Sequence, residues 1–156
     1  MKITAADIMT TSFPTLLPQT PLVEAIKIFQ QTFRSQDRRL FGMIVSDEKE
    51  HLAGMLSMYD ILLYLRPKHS HVWGTMEDVE IAGVIDAAGA RLKSIQVGDI
   101  MTPDVITISP KANLMVLLDV MIKKHVRRLP VVEDQRIVGI VYISDLFNQL
   151  LDRINK

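Results

Sequence analysis

The sequence contains no cysteine. That excludes disulfide frameworks, thiol nucleophiles and Cys-ligated zinc sites. An excess of charge of either sign is missing too: 18 Lys and Arg residues stand against 18 Asp and Glu, for a formal net charge of +0. A chain so balanced does not grip nucleic acid through its overall field, although local basic clusters can still bind anions. Long apolar runs are also lacking. Ile61-Leu62-Leu63-Tyr64-Leu65 stops at Arg66-Pro67, far short of the roughly 18 residues that span a bilayer. No basic segment followed by an apolar run opens the chain. No signal peptide is therefore expected, and the cytoplasm is the expected setting. The G-x-x-x-x-G-K-[ST], H-E-x-x-H and G-x-S-x-G patterns do not occur, so the expectation is a protein that is not an enzyme.

What the sequence does have is apolar residues, 48% of 156, enough for a real core, and an internal repeat. Asp7-Ile8-Met9-Thr10 returns as Asp99-Ile100-Met101-Thr102, a shift of 99 − 7 = 92 residues. At that shift Thr15 falls on Thr107, Pro18 on Pro110 and Leu22 on Leu114. Further on, Gly54 matches Gly139 and Asp60 matches Asp145 at a shift of 85. The first copy is therefore longer by 92 − 85 = 7 residues, placed in the polar stretches 34–39 and 46–51, where loops tolerate insertion.

Each copy reads as the same series. Val105-Ile106-Thr107-Ile108, bounded by Pro103 and Pro110, predicts a short strand. Leu114, Leu117, Leu118, Met121 and Ile122 predict a helix, matched by Leu22, Ala25, Ile26, Phe29 and Phe33. There Thr20 is the expected N-cap, with Pro21 in the first helical position. Leu129–Val132 and Ile137–Val141 flank a polar turn and predict a hairpin, as do Met43–Val45 and Leu52–Leu56. Closing helices are expected over 60–65 and 145–154. The fold class is thus mixed α+β: two β-α-β-β-α repeats, 1–66 and 99–156, packed about a pseudo-twofold axis. Residues 67–98 form a linker with a short helix, expected over 77–92. A unit of about 55 residues buries little alone, so each copy needs the other as cover.

These residues carry a family likeness. "DIMTPDVITISP" with "HVRRLPVVEDQRIVGIVYISDL", and "DIMTTSFPTLLP" with "GMIVSDEKEHLAGMLSMYDIL", together resemble a pair of cystathionine-beta-synthase (CBS) domains. The resemblance covers nearly the whole chain apart from the linker. It implies a module that binds adenosine-containing ligands (AMP, ADP, ATP or S-adenosylmethionine) in up to two clefts. It further implies a homodimer that senses nucleotides and regulates a separate effector protein, without catalysis. Neither a nucleic-acid nor a membrane partner is expected. The alternative function is a ligand-free structural or interaction module, or an S-adenosylmethionine sensor.

By the same resemblance, Asp60 and Asp145 accept the ribose diol, a task that a carboxylate can perform with two hydrogen bonds. Either one also suits a helix start through the macrodipole. Ser57 is expected near the phosphate, and the Ser57-x-x-Asp60 spacing also makes a capping box. The two readings are compatible. Tyr142 replaces the small hydroxyl in the second copy, where it stacks on a base or fills the cleft. Arg127 and Arg128, in a basic cluster with Lys123, Lys124 and His125, suit phosphate or a helix C-terminus equally; Arg38 and Arg39 are the nearest first-copy match. Thr15 and Thr107 are expected near the adenine slot, with Ile106 and Val126 as apolar walls. His69-Ser70-His71 is too sparse for a metal site. Leu146, Phe147, Leu150 and Leu151 are either core or a self-association face.

Overall fold

A computed structural model describes residues 2–35, 42–66 and 81–156. The first element is one helical turn, α1 (Ala5–Ile8). Asp7 starts it, accepting the Thr4 N–H at 2.8 Å and the Thr4 hydroxyl at 3.1 Å. Then follow β1 (Thr15–Leu16), α2 (Leu22–Arg34), β2 (Gly42–Ser46), β3 (Leu52–Ser57) and α3 (Met58–Leu65). α4 (Ile81–Leu92) leads into the second copy: α5 (Val97–Ile100), α6 (Leu114–Lys124), β4 (Arg128–Glu133), β5 (Arg136–Tyr142) and α7 (Ile143–Ile154). Asp99 repeats the work of Asp7, accepting the Gln96 N–H at 2.8 Å. The first residue of the repeated tetrapeptide is thus a helix-starting carboxylate, placed where the macrodipole favours it.

The expected elements stand, with local corrections. The strand expected over Val105–Ile108 shrinks to a parallel bridge between Ile108 and Val131, because only Ile108 exchanges hydrogen bonds with the sheet: its N–H donates to Pro130 O and its carbonyl accepts from Val132 N. Thr20 does not cap α2. Its hydroxyl accepts the Leu17 N–H at 3.2 Å, and Pro21 occupies the cap position. Both closing helices begin two residues early, at Met58 and Ile143, so Asp60 and Asp145 sit in the first turn. The last members of the two helical stripes, Phe33 and Ile122, are exposed. The helix expected over 77–92 is described from Ile81 onward; Arg38, Arg39, His69, His71 and Trp73 lie outside the described residues.

β1, β2 and β3 form one sheet, β1 parallel to β2 and β2 antiparallel to β3. β4 and β5 form an antiparallel pair. All five residues of β2 are buried, which requires cover on both faces. Met43 and Val45 pack with Leu22, Ala25 and Phe29 of α2. Ile44, on the other face, meets Met55, Ile140 and Tyr142, so the two sheets share a seam of their own.

The two copies exchange their opening segments. Ala5 of α1 is fully buried in the second core, beside Leu117, Leu129 and Val141. Val97 of α5 is fully buried in the first core, beside Leu16, Phe29 and Leu56. The backbone repeats this reciprocity: Thr10 and Ile140 exchange hydrogen bonds of 2.8 and 2.9 Å, and Thr102 and Met55 exchange two of 2.9 Å. Each Met-Thr pair thus crosses the other copy's second hairpin strand at its glycine. A Cβ on Gly54 would stand 2.5 Å from Thr102 O, and one on Gly139 would stand 2.5 Å from Met9 Sδ. The matched glycines of the repeat are clearance for the crossing.

Candidate functional site

At the junction of the copies lies a cleft of about 500 Å³, within the size range of small-molecule sites. The end of β3 and the start of α3 supply Ser57, Tyr59 and Asp60; the segment after α5 supplies Thr102, Asp104, Val105 and Ile106; the residues joining α6 to β4 supply His125, Val126, Arg127 and Arg128. Met55 forms part of the wall. Neither copy builds the cleft alone.

Asp60 is held in it by hydrogen bonds from both copies. Its Oδ2 accepts the Ser57 N–H at 2.9 Å and the Ser57 hydroxyl at 3.0 Å, while its own N–H donates to Ser57 Oγ at 3.1 Å. Its Oδ1 accepts the Thr102 hydroxyl at 3.1 Å. Capping therefore aims the carboxylate, and a residue of the opposite copy touches it. Such an oxygen pair retains acceptor capacity for a diol.

Arg128 is half-buried, and burial holds its guanidinium below the usual arginine range, partly offset by the fields of Tyr142 and Asp60. It lies against the first copy's backbone: a Cβ on Gly42 would stand 2.6 Å from its Nη2. Gly42 pairs with Ser57 in one hairpin, and Arg128 pairs with Tyr142 in the other. At these two equivalent places the first copy is small and the second is large, so the pseudo-twofold is broken at the cleft. Arg127 is exposed at the rim.

The structure thus brings Ser57, Asp60, Ile106, Val126, Arg127 and Arg128 together in one cleft. Four other residues expected in a site lie outside it. Thr15 is exposed on β1, paired with Ile44. Thr107 is exposed, one residue past the lining Ile106. Tyr142 is buried in the seam with Ile44 and Met55, so it fills space there. Asp145 Oδ2 is shut off from solvent, with no hydrogen-bond partner among the described residues. Thr102, Tyr59, Asp104, Val105 and Met55 are lining residues that sequence reasoning missed. The crossing of segments brings Thr102, Asp104 and Val105 into the same cleft as Met55 and Tyr59, and no linear pattern announces it.

Two α+β units related by a pseudo-twofold axis, with opening segments exchanged and a cleft at their junction, define a tandem-repeat module. The chain belongs to the CBS-domain family: the CBS domain model matches residues 5–67 and 97–152. Among curated proteins it is similar to the chloroplastic CBS domain-containing protein CBSX1 of Arabidopsis thaliana, 28% identical over 137 residues. That match covers 80% of this chain and 53% of CBSX1, so the chain spans about half the length of that relative. Among solved structures, CBSX2 of Arabidopsis thaliana superposes with a TM-score of 0.76 at 23% identity, over 100% of this chain and 99% of that one. CBSX2 in complex with AMP gives 0.70 at 24% identity, covering 98% of each chain. The cytosolic domain of the Mg2+ channel MgtE in complex with ATP gives 0.67 at 20% identity, over 94% of this chain and 48% of that one. Among the described residues, no helix is long and apolar enough to cross a membrane.

Proposed function

We propose that the chain is a regulatory module that binds an adenine nucleotide in the Asp60–Arg128 cleft and acts on a separate effector protein. One observation carries this reading: a capped carboxylate, Asp60, and two guanidinium groups, Arg127 and Arg128, border one cleft with apolar walls at Ile106 and Val126. A ribose diol suits the carboxylate, phosphate suits the guanidinium groups, and a flat base suits the walls. The AMP held by CBSX2 and the ATP held by MgtE support the choice of ligand class. The response is a population shift, limited to the ligand's differential affinity for two arrangements of the copies.

The same reading includes no catalytic step, a cytoplasmic setting and a pair of chains in solution. Calorimetric titration with AMP, ADP, ATP and S-adenosylmethionine tests it. Binding of at least one nucleotide, weakened at least tenfold in Asp60→Ala, is the expected result. No heat with any of the four rejects the ligand assignment and leaves a ligand-free interaction module.

A further inference from the structure

In the first copy α4 packs on α3 and buries Ala88 and Leu92. Leu92 joins the first core together with Leu22, Leu65 and Ile95. The start of α2 is tied to the segment after α4, with Leu22 N–H donating to Ile95 O at 3.0 Å. The second copy repeats this framework: Leu114 N–H donates to Ile3 O, also at 3.0 Å. Ile3, Leu114 and Met115 match Ile95, Leu22 and Val23 at the shift of 92, and Leu150 matches Leu65 at the shift of 85. There the place that corresponds to α4 is an open groove of about 440 Å³, with these four residues among its lining. The floors differ accordingly. Leu22 is fully buried and Val23 half-buried, whereas Leu114 is only half-buried and Met115 is exposed. One copy thus shows what covers such a floor, and in the other the floor is open.

The rim is cationic. Lys2 and Arg153 border the groove, and among the described residues no Asp or Glu does. Neither cation is in an ion pair among the described residues. The match of Lys2 in the first copy is Ser94, two residues past Leu92. A helix lying in the groove as α4 lies on the first copy therefore brings its last turn to Lys2. We propose that this groove docks an amphipathic helix of the effector protein. An apolar pair four residues apart, like Ala88 and Leu92, meets the floor. Acidic residues in the last turn meet Lys2 and Arg153. The proposal rests on the reading of a separate effector and not on the nucleotide, because the groove and the Asp60–Arg128 cleft share no lining residue.

Two stapled helical peptides built on residues 81–94, both keeping Ala88 and Leu92, test it by fluorescence anisotropy against the full chain. One carries Arg91→Glu and Lys93→Glu, and the other carries Asp86→Lys. The acidic peptide is expected to bind about tenfold more tightly than the basic one, since an exposed ion pair is worth up to about fivefold. Lys2→Glu combined with Arg153→Glu is expected to erase that preference. Met115→Glu is expected to weaken the acidic peptide while melting like the wild type. No binding of the acidic peptide, equal binding of both peptides, or binding undisturbed by these variants overturns the docking site. So does a Met115→Glu chain that sediments as a monomer beside a dimeric wild type, because the groove then belongs to a second copy. Calorimetry with AMP is expected to be the same for these variants and the wild type. A failed docking site therefore leaves the nucleotide reading standing, and absence of heat from AMP leaves the docking site standing.

Discussion

Single atoms decide the meaning of the matched glycines. At Gly54 the obstacle to a Cβ is the carbonyl oxygen of Thr102, which is itself bonded to Met55 N. Backbone held in that way cannot give without losing the bridge. At Gly139 the nearest atoms are Sδ, Cγ and Cβ of Met9, a flexible side chain rather than backbone. Gly54→Ala is therefore expected to destabilise by about 2–3 kcal/mol, and Gly139→Ala by under about 1 kcal/mol. Thermal melts should separate the two variants by roughly 4–8 °C. The repeat revealed that these glycines correspond, but not that their substitutions differ, because the difference lies in what crosses above them. A second test at this scale concerns the β2–β3 turn. Asp47 Oδ1 accepts the N–H groups of His51 at 3.0 Å and Lys49 at 2.8 Å. These donors, His51 foremost, hold its carboxyl below the usual aspartate value. A depressed carboxyl stabilises the fold above its unfolded pKa, and that contribution is lost as pH falls through the folded value. In urea titrations Asp47→Asn should be less stable than the wild type at pH 7, with the gap closing below about pH 4.

The repeated tetrapeptide acts as an element. α1 and α5 are too short to be stable alone, yet Ala5 and Val97 are fully buried, each in the opposite core. A fragment ending at Arg66 keeps the strands and helices of the first copy but loses Val97, Ile100 and Met101 from its core. It also leaves α1 with nothing to dock on. Such a fragment is expected to show no cooperative melt by circular dichroism; a cooperative transition would contradict the exchange of segments. Helix and hairpin positions were legible because periods of 3.6 and 2 are written in one stretch of chain. The single-bridge strand at Ile108 and the exposed ends of α2 and α6 were not, since they depend on what lies opposite. The stripe on α7 divides in the same way: Leu146 is core and Leu150 packs against it, while Phe147 is 57% exposed.

For the whole molecule, two predictions follow from the surfaces it leaves open. Leu62 on α3 and Phe147 on α7 stand 147 − 62 = 85 residues apart, the shift of the repeat, and are 63% and 57% exposed. Two matched apolar positions of this kind suit pairing with a second copy. Sedimentation is expected to give a dimer for the wild type and a monomer for a Leu62→Glu, Phe147→Glu double variant. The second prediction concerns the cleft. A ligand at 100 times its dissociation constant stabilises by about 2.7 kcal/mol, so AMP or ATP should raise the melting temperature by roughly 5–10 °C. At the same ligand concentration, Asp60→Ala, weakened at least tenfold, should lose about half of the rise or more. Part of the candidate site was legible in advance through the resemblance, which pointed to Ser57, Asp60, Arg127 and Arg128; the capping spacing and the local basic charge were compatible with it. Thr102 and Asp104 were not, because they meet Ser57 and Asp60 only across the junction.

By itself the sequence determined that one unit is used twice, with matched helices, hairpins and helix-starting carboxylates, since each of these is written in local spacing and residue type. Only the tertiary structure decided that the opening segments trade cores, that Gly54 lies beneath Thr102, that Tyr142 enters the seam, and that the cleft takes its walls from both copies. Those outcomes depend on contacts between residues far apart in the chain, and the period of one segment carries no record of what another will place against it.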